Sequence, residues 1–253
     1  MLVDWIEASG LHTGESNNVE TDGPQMFAIA MTVSRLATCF FTFETIDIAS
    51  KFGVYGFVPA LEPLLPLMAQ LSTACLHRAQ TESFGENYNI EAFDLLLDAW
   101  VTLVSDQQFP THSVFKWTNE IFRTFVAARV ESEMKATLED ADEEYFEEEN
   151  DVLNMDSQNL NMAALARLTP AESIELVSKE IQAKVVALRT TTEGLPILGA
   201  LHQLILIAGY LIADPQDRGE TPSIPEEICT MLTNTATPTQ AQANNHAHHE
   251  PLM

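Results

Sequence analysis

Few residues in this 253-residue chain have the types and spacing that metal binding requires. His246, His248 and His249 could bind a metal ion, but their polar tail offers no preorganised geometry. The pair Cys75-x-His77 lacks the second pair of ligands that completes a zinc site. We therefore predict neither a metal site nor a cofactor site.

The sequence motifs of common enzymes are also missing. The chain contains no G-x-S-x-G, P-loop, G-x-G-x-x-G or H-E-x-x-H pattern. Asp94 and Asp98 share one face of a helical pattern, but the sequence places no histidine or nucleophile beside them. We expect both carboxylates to face solvent, and we predict that the protein is not an enzyme.

The main chemical feature is an acidic run at residues 138–151, with the sequence LEDADEEYFEEEND. Like charges at i,i+4, such as Glu139 and Glu143, oppose a packed helix, so we predict a mobile loop. The run is either a solvated spacer or a docking surface for a basic partner, which Tyr145 and Phe146 could anchor. The candidate docking residues are Glu139, Asp140, Asp142, Glu143, Glu144, Glu147, Glu148, Glu149 and Asp151.

Charge and cysteine content narrow the class of protein. The formal net charge of -25 opposes contact with nucleic-acid phosphate and with anionic membrane surfaces, and it attracts basic partners. Cys39, Cys75 and Cys229 are an odd number without a C-x-x-C pair, which indicates a reducing compartment. The N-terminal sequence MLVDWIEASG does not have the pattern of a secretory signal.

Apolar residues recur at helical spacing along most of the chain, and no segment has the pattern of a strand. In residues 90–105 the stripe includes Phe93 and Trp100, and in the next helix Trp117 occupies the equivalent face. Thr169 and Glu172 form a capping-box pattern around a proline at the first helical position. The helical segments are 24–51, 61–77, 90–105, 114–128, 170–188 and 195–213.

The segment 195–213 has no charged side chain and is apolar on every side, so it must be enclosed by protein or lipid. Its length is sufficient for a membrane span. His202 and Gln203 weaken that interpretation, and no basic cluster flanks either end. We therefore predict the central helix of a soluble fold.

Three sequence segments resemble, in the same order, nuclear export receptors of the importin-β (karyopherin-β) superfamily. They are FDLLLDAWVTLV at 93–104, MAALARL at 162–168, and LHQLILIAGYLIAD followed by GETPSIPEEI within 201–228. The resemblance extends over residues 89–228. Members of this family are several times longer, so we expect an internal fragment or a shortened form.

The resemblance implies an all-α fold, an α-solenoid (armadillo-like superhelix) of HEAT-type helical hairpins. We predict a poorly ordered lead-in at 1–23, hairpins at 24–137 and an acidic loop at 138–160. A further hairpin with the start of a following helix occupies 161–232, and a disordered polar tail occupies 233–253.

The function that the resemblance implies is nuclear export of protein cargo with Ran in its GTP state. Such receptors shuttle between nucleus and cytoplasm, contact Phe-Gly repeats of the nuclear pore, and can bind Ran or basic cargo through acidic loops. The implied cargo includes the hypusine-bearing translation factor 5A and a Smad protein. Two alternatives remain open, a non-transporting helical scaffold and a small multi-spanning membrane protein built on 24–78 and 195–213.

Overall fold

The computed structural model describes residues 2–13, 19–42, 63–80, 87–105, 109, 111–139, 149–191, 194–213 and 223–236. Within these ranges the chain forms α-helices and two 3₁₀ turns, Leu11–Thr13 and Thr111–Ser113, and no β-strand. The helices are α1 (Leu2–Ser9), α2 (Val19–Thr42), α3 (Leu64–Ala79), α4 (Tyr88–Ser105), α5 (Phe115–Glu139), α6 (Glu149–Ala166), α7 (Pro170–Thr190), α8 (Leu195–Ile212) and α9 (Glu226–Ala236).

From α2 onward, these helices pack in two rows. Each contacts the helix two places later, so that α2, α4, α6 and α8 form one row and α3, α5, α7 and α9 form the other. Contacts between the rows, such as α3 with α4 and α5 with α8, enclose the core. Stacked helices of this kind make an α-solenoid, and the predicted fold class is confirmed.

Side-chain contacts show that neighbours within a row are parallel. Asp94 in α4 accepts a hydrogen bond from Gln158 in α6 at 2.5 Å, and Asp98, one turn later, accepts one from Asn161 at 3.0 Å. Both partners advance toward the C-terminus together. In the other row, α5 and α7 meet at Asn119–Glu172 and again at Met134–Lys184, which requires the same direction.

The core is centred on aromatic residues of α4 and α5. Trp100 is 0% exposed, and its indole N–H donates to Ser72 Oγ of α3 at 3.3 Å. Phe93 and Phe125 stack with ring centroids 6.1 Å apart, which joins α4 to α5. Trp117 is half-buried against this cluster, with the Lys116 ammonium 4.5 Å from its ring centroid. The interpretation of both tryptophans as core contacts is confirmed.

The predicted lead-in at 1–23 is wrong for the residues that the structure describes. Ile6 and Leu11 are fully buried, and Gly10 connects α1 to the 3₁₀ turn with a φ of 67° that suits glycine. Helix α2 begins at Val19 rather than at the proline. Asp22, in its first turn, pairs with Arg78 at the end of α3, 3.6 Å away. The polar composition of this segment gives no sign of the burial of Ile6 and Leu11 or of the Asp22–Arg78 ion pair.

The predicted acidic loop at 138–160 is also too long. Helix α6 begins at Glu149, and its buried face is formed partly by amide side chains, Gln158 and Asn159, before the apolar Met162 and Leu165. A search for apolar spacing does not detect a buried face that is partly polar. At the other end of the chain, α9 extends to Ala236, and the rest of the predicted tail lies outside the described residues.

The capping box at the start of α7 is replaced by a contact between helices. Pro170 is the first helical residue, as predicted, but Thr169 makes no side-chain cap. Its hydroxyl donates to Asn119 Oδ1 of α5, and Asn119 Nδ2 donates to Glu172 Oε2 at 2.5 Å. The two capping-box residues therefore attach α7 to α5.

Candidate interaction surfaces

The acidic run does not form a single loop, because helices include both of its ends. Glu139 is the last residue of α5, and Glu149 and Asp151 lie in the first turn of α6. The remaining candidates lie outside the described residues: Asp140, Asp142, Glu143, Glu144, Glu147 and Glu148. Docking of a basic partner at this run stays a prediction.

Asp94 does not face solvent as predicted, because α6 covers it. Gln158 links it to α5, accepting a hydrogen bond from Arg129 Nη2 and donating one to Asp94 Oδ1 at 2.5 Å. Burial raises the pKa of Asp94 to about 6, against the hydrogen bond from Gln158 and the charge of Arg129, which lower it. Burial also lowers the pKa of Arg129. The network holds α4, α5 and α6 together and contains a carboxyl whose pKa is raised by burial.

Asp98 lies one turn after Asp94 on α4, and the same solvent-facing position was predicted for it. It is exposed and accepts its hydrogen bond from Asn161 at the edge of the contact. Desolvation has the largest effect on the pKa of Asp98 and raises it, whereas the hydrogen bond from Asn161 lowers it. The solvent-facing prediction thus holds for Asp98 alone.

Arg167 joins two of the segments that carry the family resemblance. It follows α6, is 7% exposed, and donates to main-chain carbonyls at the C-terminus of α8. Its Nε reaches Leu211 O at 3.0 Å, and its Nη2 reaches Ala213 O at 3.3 Å and also Tyr210 O. A cation there satisfies carbonyls that lack a helical partner and complements the helix dipole.

The prediction that the apolar helix α8 is enclosed on all sides is wrong. One face packs on α5, where the buried Gln203 donates to Glu133 Oε2 at 3.2 Å. The opposite face is open, with Leu195 65% and Ile205 60% exposed. The exposed positions follow alternating steps of three and four residues: Leu195, Leu198, His202, Ile205, Gly209 and Ile212. We refer to these six residues as the α8 stripe.

The α8 stripe does not make this chain a multi-spanning membrane protein. Leu195–Ile212 has a mean hydropathy of 1.9, and 28% of it is buried. In the described part of the chain it is the one helix long and apolar enough to cross a membrane. The multi-spanning alternative required additional spans within 24–78 and is not supported.

The cysteine and histidine candidates do not come together. Cys75 is fully buried in α3, whereas His77 is exposed near the end of the same helix. Among the described residues, no group of three potential ligands is arranged to hold a metal ion. His246, His248 and His249 lie outside those residues.

Comparison with known proteins finds similarity to one class of receptor. Over 179 aligned residues the chain is 27% identical to exportin-4 of Dictyostelium discoideum, and the match covers 58% of this chain and 15% of the relative. The chain therefore spans a small part of that relative's length. No protein-family model matches the chain, and no solved structure matches it. The partial match and the two-row solenoid together indicate an exportin-like helical protein.

Proposed function

We propose that this chain is a segment of a karyopherin-type nuclear export receptor, which carries protein cargo from nucleus to cytoplasm with Ran-GTP. The observation that carries the proposal is the similarity to exportin-4, found on a chain folded as two rows of stacked helices. In such a solenoid each repeat contacts its neighbours, and small rotations per repeat accumulate along the rows. The fold is therefore suited to coupling ligands bound at separate places.

The proposed mechanism is linked binding without catalysis. Ran-GTP and cargo each raise the other's affinity by the same factor, as thermodynamic linkage requires. The cargo class is the one that the resemblance implies, the hypusine-bearing translation factor 5A and a Smad protein. Contacts with Phe-Gly repeats of the pore allow the receptor to shuttle between nucleus and cytoplasm.

The acidic run is the proposed docking surface for Ran or for basic cargo. Glu139 at the end of α5 and Glu149 at the start of α6 mark where the run joins the two helices. The chain has 37 acidic and 12 basic residues, so its field attracts a basic partner from a distance. The clustering of carboxylates within residues 138–151 would concentrate that attraction at the run.

The proposal is tested by measuring cargo binding to the 253-residue chain in the presence of Ran loaded with a non-hydrolysable GTP analogue. Ran loaded with GDP is the matched control. We expect tighter binding of hypusine-bearing factor 5A with the GTP form only. Equal cargo affinity in the two nucleotide states would contradict export activity.

The alternative is a non-transporting helical scaffold. It is favoured by the α8 stripe, a mainly apolar face without Lys, Arg, Asp or Glu on the last described helix of its row, on which another helix can pack. A scaffold would bind its partner with the same affinity whatever nucleotide Ran carries. The Ran experiment therefore separates the two functions directly.

A further inference from the structure

Four large apolar side chains on one face of α8 are exposed to solvent. Leu195 and Ile205 are 65% and 60% exposed, and Leu198 and Ile212 are each 50% exposed. Single exposed apolar residues are common on protein surfaces, whereas a continuous apolar strip marks a contact site. Helix α8 contacts α5, α6 and α7, and the α8 stripe faces away from all three. The helices of the described ranges therefore leave this strip uncovered.

The spacing of the α8 stripe is that of a seam between paired helices. Its six positions are separated by three, four, three, four and three residues, which is the a and d spacing of a heptad. A second helix packs against such a seam at a small crossing angle. From Leu195 to Ile212 the seam is about 26 Å long, so it accepts a helix of about 18 residues. His202 is the polar member of the six, and one polar a position fixes the register of a helix pair.

Gly209 leaves a gap in the seam that a partner side chain can enter. A glycine inside a helix costs stability relative to alanine, because it loses more backbone entropy on folding. A β-carbon at position 209 would meet no atom of the chain within 4 Å, so the chain's own packing does not require glycine there. In knobs-into-holes packing, a gap of this kind receives a large side chain from the facing helix.

The charged groups beside the seam determine which helices it attracts. In the sequence, the nearest charged residue on each side of α8 is acidic, Glu193 before it and Asp214 after it. Toward the C-terminal half of the seam, the hydroxyl of Tyr210 donates a hydrogen bond to the carboxylate of Asp156 on α6, which is exposed. This carboxylate and the net charge of -25 attract a basic helix, and they repel an acidic helix or a second copy of this chain.

Two cations lie near the ends of α8, and they limit where a basic partner can place its charges. Arg167 is buried against the main-chain carbonyls at the C-terminus of α8 and is already satisfied by them. Arg189 is exposed in the last turn of α7, six residues before Leu195. The basic residues of a partner are therefore best placed away from Arg189, near Asp156.

We propose that the α8 stripe binds a basic amphipathic helix of a partner protein. The partner presents apolar residues at a and d spacing, with a large one opposite Gly209, and basic residues beside them, one of which pairs with Asp156. This surface is separate from the acidic run. The proposal gives the helical scaffold alternative a class of partner, and it holds whether or not the chain takes part in nuclear export.

The probe is a fluorescein-labelled helical peptide of about 18 residues, with leucine at the a and d positions and lysine at the flanking e and g positions. Binding to the 253-residue chain should be saturable and should weaken only partly as salt is raised, because the seam is apolar. Leu198→Ser with Ile205→Ser should lower affinity at least about tenfold, since the burial of two aliphatic side chains is lost.

Two further variants test the fit and the charge. Gly209→Leu makes the stripe more apolar and has room in the free chain, yet it should lower affinity because it fills the gap that the partner enters. Asp156→Asn should lower affinity for the lysine peptide about two- to fivefold, as expected for one exposed ion pair. It should leave the affinity of a peptide with glutamine at the e and g positions unchanged.

The control variant is Leu36→Ser with Leu232→Ser, which removes two exposed apolar side chains from α2 and α9 and should keep the wild-type affinity. Equal loss in the control and in the α8 double variant would overturn the proposal. Equal binding of a peptide with the same composition but no heptad order would also overturn it. Tighter binding by Gly209→Leu would indicate a nonspecific apolar contact instead.

The free chain provides the last check. Sedimentation should show a monomer, and the α8 double variant should keep the wild-type melting temperature because both replaced side chains are exposed. A dimer that the α8 double variant abolishes would overturn the proposal, because a second copy would then cover the stripe. A lower melting temperature in the α8 double variant alone would overturn it as well, because a segment of the chain itself would then cover the stripe. Neither the peptide experiment nor this check uses Ran, so their failure is distinguishable from failure of the export proposal.

Discussion

At the scale of single residues, polar side chains hold this solenoid together at points where apolar spacing gives no signal. Gln158 bridges Arg129 and Asp94 with its two amide atoms, and Asn119 bridges Thr169 and Glu172 in the same manner. Each amide donates on one side and accepts on the other, so one residue can connect three helices or fix the start of one. Since these partners are 29 to 64 residues apart in the chain, the sequence alone does not pair them.

The raised pKa of Asp94 makes stability depend on pH in a defined direction. Its pKa is about 6 in the folded chain against an ordinary value of 3.8, so the folded state holds the proton longer. Its contribution to stability therefore declines as pH rises from about 4 to about 6 and is constant above that range. Arg129, Asp98 and Glu91 are the charged groups that act on it.

Asp94→Asn should remove this dependence while an oxygen remains to accept the Gln158 hydrogen bond. The melting temperature of the variant relative to wild type should rise between pH 4 and pH 6 and then level off. Thermal unfolding at intervals across this range measures the difference. A constant difference at all pH values would show that Asp94 does not titrate in the folded chain as described.

Trp100 and Asp98 test the two faces of α4. Trp100→Ala removes a fully buried indole and should cost about 3–5 kcal/mol of unfolding free energy. Asp98→Ala, at an exposed position with one hydrogen bond to Asn161, should cost no more than about 0.5 kcal/mol. Denaturant unfolding of both variants gives the comparison, and similar losses would mean that the faces are assigned incorrectly.

At the scale of helices, the sequence predicts an element well when its buried face is apolar. It predicts an element poorly when that face is partly polar, or when the neighbouring helices cover only one side of an apolar helix. Helix α4 was predictable because its buried stripe is uninterrupted from Phe93 to Trp100. Helix α6 was not, because two residues of its buried face, Gln158 and Asn159, are polar. For α8 the sequence predicts too much burial, because apolar residues occur on every side of the helix but neighbouring helices cover only one side.

The candidate sites follow the same physical limit. The acidic run can be recognised from its composition. The sequence does not show, however, that α5 extends into the run to Glu139, or that α6 begins within it and includes Glu149 and Asp151. The space between α5 and α7 cannot be predicted from the sequence, because the residues that line it, such as Val126 and Leu176, come together only through the parallel packing of the two helices.

Arg167 provides a test at the end of an element. Arg167→Met keeps the apolar stem but leaves carbonyls of Tyr210, Leu211 and Ala213 without this charged donor. Loss of hydrogen bonds to a charged group should cost about 1.5–3 kcal/mol. Hydrogen exchange should accelerate most in the last turn of α8.

The control is Arg189→Met in the exposed last turn of α7, which should stay within about 0.5 kcal/mol of wild type. A similar loss for the two variants would assign the effect to charge rather than to the cap.

At the scale of the whole molecule, two properties govern how the chain meets partners. One is the pair of helical rows, which leave the α8 stripe uncovered. The other is the net charge of -25, which acts over a longer range than this apolar surface. Charge should therefore determine the rate of encounter, and the local surface should determine how long a complex lasts.

Neutralising part of the acidic run separates these contributions. Replacing Glu143, Glu144, Glu147, Glu148 and Glu149 by glutamine changes the net charge from -25 to -20. Association with a basic partner should slow more than dissociation quickens, because steering acts on the encounter. The salt dependence of the association rate should also become shallower, since the Debye length is about 8 Å at physiological ionic strength.

Stopped-flow association with Ran-GTP and with basic cargo at two salt concentrations measures both effects. A matched control neutralises five acidic residues elsewhere, Asp4, Glu7, Glu120, Glu226 and Glu227, for the same change in net charge. If the run is the docking surface, its variant should slow association more than the control does. Unchanged rates and salt slopes would identify the run as a solvated spacer. Equal slowing in both variants would show that the association rate depends on the net charge of the whole chain. The acidic run would then not be a specific docking surface.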